Sequence, residues 1–222
     1  MIKGTNYVYH ENGGRIIDSS TGAYVKSGPS ENLGSFQADW KGGINNSFRY
    51  KDFSFSFLID MQKGGHIFSL DTWYGMGTGL YPETAGLNEL GNPMRLSIAD
   101  GGGILLDGVN ADGTPNTTRA RMDYFANALG WSKATNAQHV YDAGFIKLRE
   151  ISFAYNFPKH LLENSFIQGL TLTAIGRNLW IIDKSLPYGD PEAGLSSGNV
   201  QGYQSGAYPS TKDYGFSVKL EF

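Results

Sequence analysis

The sequence predicts an all-β fold in which antiparallel strands form part of a transmembrane β-barrel, with long extracellular loops that carry a short helix. The last nine residues alternate strictly between apolar and polar side chains and end on an aromatic residue. The strand-like stretches are close to the roughly 9 to 11 residues that a tilted membrane-spanning strand needs. The connections between them alternate between short and long, as they do in outer-membrane barrels.

The first element is a hairpin centred on Lys51-Asp52. Residues 36–50 read as a strand with a kink at Gly42-Gly43. After the two-residue turn, aromatic and aliphatic side chains alternate with mostly polar ones from Phe53 to Asp60. Two alternating runs joined by two residues predict a β-hairpin.

A long connection rich in Gly, Asn and Asp follows, from Lys63 to about Gly144. Its best helix candidate is 118–129, where apolar residues recur at helical spacing and Gly130 follows as a stop signal. The rest of the connection has no clear periodicity, so it is predicted to be loop.

Three further strands complete the pattern. Alternation resumes at 145–157 and stops at Pro158, since proline cannot donate to a strand ladder. A less regular strand is predicted at 170–182, and a Gly/Ser-rich loop leads to the terminal strand at 214–222.

The terminal strand has one entirely apolar face. Such a face is typical of a strand that separates a dry medium from a polar space. The residues on it are Tyr214, Phe216, Val218, Leu220 and Phe222.

The lengths of the connections fix a predicted orientation. If the Phe222 end lies in the periplasm, the long connections at 63–144 and 183–211 are extracellular, and the shorter ones at 51–52 and 158–169 are periplasmic. Outer-membrane barrels have this arrangement, with short periplasmic turns and longer outer loops.

Composition excludes several classes of protein. The chain has 222 residues, enough to bury a core as one domain, and contains no apolar run near the roughly 20 residues of a spanning helix. Its net charge of -3 gives no basic footprint, so nucleic acid is not an expected partner. The absence of cysteine removes disulfides and thiolate metal sites. The opening residues lack a signal-peptide core.

No catalytic or metal site is predicted. The carboxylate pairs, such as Asp190 with Glu192, have no accompanying nucleophile motif, so we expect no enzyme activity and no cofactor. Oxygen ligands at 107–112 miss the register of a calcium loop, and a simple turn is the better interpretation. The four histidines lack the paired spacing of a zinc site.

Four aromatic residues in the predicted outer loops are the candidate ligand contacts. Aromatic faces with polar rims are common in ligand sites, where they stack on sugar rings. The alternative is that they pack the loops or mark the membrane boundary, where Trp and Tyr collect. The residues are Trp73, Tyr74, Tyr81 and Trp131.

An ordered series of motifs resembles the carboxy-terminal end of the SusC/RagA family of TonB-dependent outer-membrane transporters. The motifs cover nearly the whole chain, and their order is specific although each is weak alone. They are Asp39-Trp-Lys-Gly-Gly-Ile44, Phe48-Arg-Tyr-Lys-Asp-Phe53, Lys63-Gly-Gly65, Asp107-Gly-Val-Asn-Ala-Asp-Gly113 with Pro115-Asn116, Phe145 to Pro158, Gly176-Arg-Asn-Leu179, Asp190-Pro-Glu192, Tyr208-Pro209 and the terminal strand.

This resemblance implies a C-terminal barrel segment over residues 1–222, in a protein of the Gram-negative outer membrane that imports oligosaccharides or peptides. The implied partners are a SusD-like surface lipoprotein, TonB through the missing N-terminal part, the outer-membrane assembly machinery and lipid. The assembly machinery would read the terminal strand, with Tyr214, Phe216, Val218, Leu220 and Phe222 as the signal.

The chain also departs from the family pattern, since it shows about five strands and no plug domain. Five strands cannot close a barrel, and an open sheet edge in hydrocarbon leaves backbone groups unpaired. We therefore expect a fragment of a larger transporter. The alternative is a soluble all-β carbohydrate-binding module, which explains the loop aromatics but neither the alternation of connection lengths nor the final Phe222.

Overall fold

The computed structural model describes residues 1–123, 127–194 and 200–222. Most of its regular structure is strand. The strands are β1 (Ile2–Gly4), β2 (Glu31–Gly34), β3 (Trp40–Tyr50), β4 (Phe53–Lys63), β5 (His66–Ser69), β6 (Ile104–Leu105), β7 (Arg119–Ala120), β8 (Val140–Asp142), β9 (Phe145–Asn156), β10 (Gly169–Lys184), β11 (Tyr203–Gln204) and β12 (Asp213–Glu221). One α-helix, α1 (Leu70–Thr78), and short 3-10 turns at Pro82–Thr84, Ile98–Asp100, Asn136–His139 and Lys159–Leu161 accompany them in the described residues.

The five long strands form one antiparallel sheet with the order β12-β10-β9-β4-β3. Each long strand therefore pairs with the long strand that precedes or follows it in the chain. The predicted strands are confirmed, with shifts of a few residues at their ends. The largest differences are at β3, which begins at Trp40 rather than at 36, and at β10, which runs on to Lys184.

The register of the sheet sorts apolar and polar side chains onto opposite faces. One row across all five strands contains Phe48, Phe55, Phe153, Ala174 and Phe216. The neighbouring row, whose side chains point to the other face, contains Arg49, Ser54, Ala154, Thr173 and Ser217. Among the described residues, much of the apolar face is exposed: Phe216, for example, is 87% exposed.

Two register shifts at Arg149 keep apolar and polar side chains on opposite faces, although the alternation of residue types in β9 is interrupted there. Arg149 has no pairing partner in the register of β9 with either neighbouring strand. The register with β4 shifts between Leu58 and Ile59, and the register with β10 shifts between Arg177 and Trp180. A bulge inserts one extra residue and so reverses which residues face each side. Leu148 therefore joins the apolar face and Lys147 the polar face, although strict alternation from residue 157 would place them the other way round.

The connections leave the sheet in the predicted pattern. Tyr50 pairs with Phe53 across the Lys51-Asp52 turn, and the connection from β9 to β10 lies at the same end of the sheet. The long connections after β4 and after β10 begin at the opposite end, where Gln62 and Lys184 both pair with Phe145. Short and long connections are thus separated to the two ends of the sheet.

The predicted helix at 118–129 is wrong. Residues Arg119–Ala120 form β7, which pairs with β6, and residues 124–126 lie outside the described part of the chain. The short helix of this connection is α1 at Leu70–Thr78. The apolar spacing at 118–129 instead supplies a core: Ala120, Met122 and Ala128 pack with Ile17, Met94 and Leu106.

The chain divides into two compact units. The loop unit comprises Met1–Phe36, His66–Tyr141 and Gly194–Ala207, and the sheet unit comprises Gln37–Gly65, Asp142–Ala193 and Tyr208–Phe222. Among the described helices, none has the length and apolar character needed to cross a membrane.

Candidate functional site

Helix α1 is the framework of the first candidate site, and its two ends are defined by capping. The Ser69 hydroxyl accepts a hydrogen bond from the Thr72 backbone N–H at 3.1 Å, which satisfies one of the free donors at the helix start. Gly79 ends the helix in the left-handed conformation that glycine adopts at low cost. These caps position a helix whose own sequence contains Gly75 and Gly77.

A buried polar contact fixes the helix within the loop unit. The Thr72 hydroxyl lies 3.0 Å from Nδ1 of His139, and the Tyr141 hydroxyl donates to the same Thr72 oxygen at 3.3 Å. Burial lowers the pKa of His139 to about 4, so the imidazole is neutral near pH 7. The contact therefore positions α1 without introducing a buried charge.

Three of the four predicted ligand-contact residues form one aromatic cluster, which we define as Trp73, Tyr74 and Trp131. The ring centroids of Trp73 and Tyr74 are 4.8 Å apart, and those of Tyr74 and Trp131 are 5.4 Å apart, both edge to face. Trp73 and Trp131 are separated by 6.4 Å. These separations lie in the range favoured by aromatic pairs.

The cluster depends on a close approach between α1 and the chain at Gly130. A Cβ on Gly130 would stand 2.1 Å from the backbone nitrogen of Gly77. A residue larger than glycine therefore does not fit at position 130, next to the helix backbone. The next residue, Trp131, has a φ of 49° and donates its backbone N–H to the Trp73 carbonyl at 2.8 Å. A left-handed conformation is costly for a bulky residue, and such strain is often found at functional positions.

The fourth predicted residue, Tyr81, also lies against α1. A Cβ on Gly75 would meet the Tyr81 ring at 2.3 Å, so the ring rests directly on the helix backbone. Tyr74 is 45% exposed, while Trp73, Tyr81 and Trp131 are half-buried. Trp73 and Tyr74 thus lie on one short helix, Trp131 and Tyr81 pack against it, and Tyr74 offers the most accessible ring. Ligand contact by these residues stays a prediction.

The second site is an ion-pair network on β9, which we call the charged clasp: Lys147, Arg149, Asp60, Asp190 and Glu192. The Lys147 ammonium donates to Asp190 at 2.5 Å and to Glu192 at 2.5 Å. Arg149 donates two hydrogen bonds to Asp60, at 2.7 and 2.9 Å, and a further one to Glu192. Two strand cations therefore hold the Asp190-Pro191-Glu192 segment that follows β10.

Burial makes the Lys147–Asp190 pair the centre of the clasp. Both side chains are 2% exposed, whereas Glu192 is 35% exposed. Burial by itself raises the pKa of Asp190, but hydrogen bonds from the Lys147 ammonium and the Ser210 hydroxyl outweigh it and lower the pKa to about 2. Asp190 is therefore ionised at neutral pH, and the Lys147 ammonium compensates its buried charge.

The sequence identifies Asp190 and Glu192 only as a carboxylate pair and does not reveal their cationic partners, Lys147 and Arg149. The available signal was the pair of cations Lys147 and Arg149 within one predicted strand, since a charge that a strand buries needs a partner. The bulge at Arg149 was not visible in the sequence, so the face on which these cations lie was not predictable.

The apolar side chains of the terminal strand are exposed along its whole length. In the described sheet β12 pairs with β10 on one side only. The ring of Phe222 stacks on Phe166 with a centroid distance of 5.7 Å and an interplanar angle of 7°. The proposed assembly signal is thus presented on an exposed face, with its last ring held by one neighbour.

The turn at 107–113 carries internal hydrogen bonds. Asp112 accepts from the backbone N–H and the hydroxyl of Thr114, at 3.0 and 2.6 Å. In the part of the chain that the structure describes, no three His, Asp or Glu side chains are grouped as metal ligands.

Comparison with known proteins places this geometry in context. No family model matches the chain. Three curated TonB-dependent receptors of Formosa agariphila are similar to it: one is 28% identical over 196 residues, covering 86% of this chain and 17% of the relative. The others are 27% and 25% identical, covering 96% and 100% of this chain and 19% of each relative. The chain thus spans less than a fifth of the length of these relatives.

Solved structures give the same result for the fold. The chain superposes on the RagAB peptide importer in its open-open state with a TM-score of 0.63 and 18% identity, over 100% of this chain and 22% of that one. The closed-closed state gives a TM-score of 0.62 at 18% identity, over 100% and 23%. The resemblance to SusC/RagA-type TonB-dependent receptors is confirmed, and none of these relatives is named as an enzyme.

Proposed function

We propose, from the likeness to TonB-dependent receptors, that residues 1–222 are the C-terminal barrel segment of an outer-membrane nutrient importer, supplying wall strands and extracellular loops. The observation that carries this proposal is the five-stranded sheet with one exposed apolar face and one polar face. A sheet in a soluble protein buries its apolar face against another layer. A barrel wall presents that face to lipid and its polar face to the lumen.

The dimensions of the apolar face support the same assignment. Exposed aromatic residues lie near both ends of the sheet, with Trp40 and Trp180 at the end of the long connections and Tyr50 at the other. Trp40 and Tyr50 are separated by about 33 Å along β3, at about 3.3 Å per residue. A strand tilt of about 45° reduces this to about 23 Å, close to the apolar band of roughly 25 Å between the aromatic girdles of such barrels.

The nutrient is an oligosaccharide or a peptide, contacted in the outer loops by the aromatic cluster and Tyr81. RagAB is named as a peptide importer. Aromatic rings bind both classes of ligand, by stacking on sugar rings or on peptide side chains. The remaining partners follow from the role: a SusD-like surface lipoprotein, TonB through the N-terminal part of the receptor, the outer-membrane assembly machinery and lipid.

Cysteine labelling tests the topology. The chain contains no cysteine, so an introduced thiol is unique in this segment. In the native receptor on intact cells, Glu11→Cys is expected to react with a membrane-impermeant maleimide, and Lys51→Cys to react only after the outer membrane is broken. Val218→Cys, on the apolar face, is expected to react only after denaturation.

Ser217→Cys is the matched control for Val218→Cys, because it is the adjacent residue on the opposite face. It is expected to react with a small maleimide that enters the lumen. Equal reactivity of Val218→Cys and Ser217→Cys in the folded receptor, or labelling of Lys51→Cys on intact cells, contradicts the proposed orientation.

A substitution in the aromatic cluster tests ligand contact. Trp131→Ala is expected to raise the nutrient concentration needed for half-maximal growth about 10-fold, because loss of a ring contact costs about 1.5 kcal/mol. Growth is measured on whichever single oligosaccharide or peptide supports wild-type cells. Trp180→Ala, which removes an exposed indole from the sheet, is the control and should leave this concentration unchanged. An equal effect of both substitutions, at equal receptor amounts, argues against a ligand-contact role.

A further inference from the structure

The loop unit contains a cavity of about 440 Å³ that is distinct from the aromatic cluster. Its volume lies within the roughly 300–1,000 Å³ of typical small-molecule sites. Three of its described lining residues are cationic, namely Arg119, Arg121 and Lys133, and none is a carboxylate. The remaining lining residues are small or apolar: Ser20, Thr21, Ala23, Ile98, Thr118 and Ala128.

The floor of the cavity is packed against the buried core and the rim is accessible. Ala128 belongs to the buried core of the loop unit, together with Ala120 and Met122. On the rim, Arg121 and Lys133 are exposed. Gly22 lies so close to β7 that a Cβ there would stand 2.5 Å from the Arg119 backbone, so the wall formed by residues 20–23 is held tightly against the strand.

The cations are arranged so that positive charge remains for a ligand. Glu89 accepts a hydrogen bond from Nε of Arg119 at 2.5 Å, and this leaves the two terminal nitrogens of that guanidinium outside the pair. Asp123 accepts two hydrogen bonds from Arg121, each at 2.9 Å. Lys133 adds a third positive charge at the exposed rim of the cavity.

We infer that this cavity binds a carboxylate-bearing small ligand, either an acidic sugar or the carboxylate of a short peptide. Lys133 and Arg119 hold the carboxylate, and Ile98 and Ala23 contact the apolar part of the ligand. Guanidinium and ammonium groups bind carboxylates through charge-assisted hydrogen bonds. The inference rests on the proposed importer function for its biological role, but it concerns a binding event that is measured without transport.

The test is calorimetric titration of the purified native receptor with four probes: trigalacturonate, maltotriose, the tripeptide Ala-Ala-Glu and its fully amidated neutral counterpart. At least one acidic probe is expected to bind at least 10-fold more tightly than its neutral counterpart. Which of the two acidic probes binds identifies the source of the carboxylate. Binding should weaken as salt is raised, because the rim charges are exposed.

Lys133→Gln is expected to weaken binding of the acidic probe about 10-fold, and Lys133→Glu more. Lys3→Gln is the control, since it removes the same charge from an exposed position of the loop unit outside the cavity. The inference is overturned if no acidic probe binds in preference to its neutral counterpart, or if Lys133→Gln binds like wild type. If the receptor binds an acidic probe but wild-type cells do not take that probe up, the importer function is refuted and the binding site is retained.

Discussion

Replacing Lys147 by methionine is expected to destabilise the folded sheet by roughly 3–5 kcal/mol, because the substitution leaves the buried Asp190 carboxylate without its cation. Methionine keeps most of the length of the side chain, so the effect reports the charge rather than a cavity. The measurement is the midpoint of urea unfolding of the purified native receptor, followed by the heat-dependent mobility shift on gels.

Two variants separate this mechanism from a general loss of charge. Arg177→Gln breaks the Arg177–Glu150 pair, whose side chains are 59% and 36% exposed, and should change the midpoint little. Adding Asp190→Asn to Lys147→Met removes the uncompensated charge and should recover most of the lost stability. If the double variant is no more stable than Lys147→Met alone, the clasp does not work by charge compensation.

Deleting Phe222 is expected to reduce the amount of assembled receptor in the outer membrane several-fold, whereas Leu220→Val should leave it near the wild-type amount. The terminal ring is the last element of the proposed assembly signal, and Leu220→Val keeps an apolar side chain on the same face. The measurement is the amount of heat-modifiable receptor in purified outer membranes, relative to total receptor. Equal amounts in both variants would disprove the signal.

Phe166→Ala distinguishes recognition from packing in this experiment. Phe166 stacks on Phe222, so its removal disturbs the packing of the terminal ring but leaves the terminal strand unchanged. A recognition role predicts normal assembly of Phe166→Ala. If Phe166→Ala assembles as poorly as the Phe222 deletion, the terminal ring acts through packing.

The long strands were predictable because their pattern is local. Alternation in Phe53 to Asp60 and in Tyr214 to Phe222 follows directly from the two-residue period of a strand with one apolar face. The ends of the strands were less predictable, since the chain continues in extended conformation beyond the alternating part, as at Lys184 in β10.

The helix and the clasp were not predictable because both depend on contacts between distant residues. Helix α1 contains two glycines, which disfavour a helix locally. A Cβ on Gly77 would nevertheless stand 3.0 Å from the Trp131 Cβ, so the small residue favours the close approach of the chain at Gly130. Likewise, Lys147 meets Asp190 only because the bulge at Arg149 turns it to the polar face. By contrast, the four loop aromatics were chosen as candidate ligand contacts by residue type alone, and their grouping at one helix was not predictable.

The clasp also bears on how receptors of this kind diversify. Asp190 lies near the start of the last long connection and Ser210 near its end. The Asp190 carboxylate accepts hydrogen bonds from Lys147 on β9 and from the Ser210 hydroxyl, so one carboxylate holds both ends of this connection. Lengthening a connection whose ends are already held costs little, about 0.6 kcal/mol for each doubling of its length. The segment between residues 193 and 208 carries β11, which pairs with β5 in the loop unit, so we expect related receptors to exchange it together with the loop unit while the wall strands keep their register.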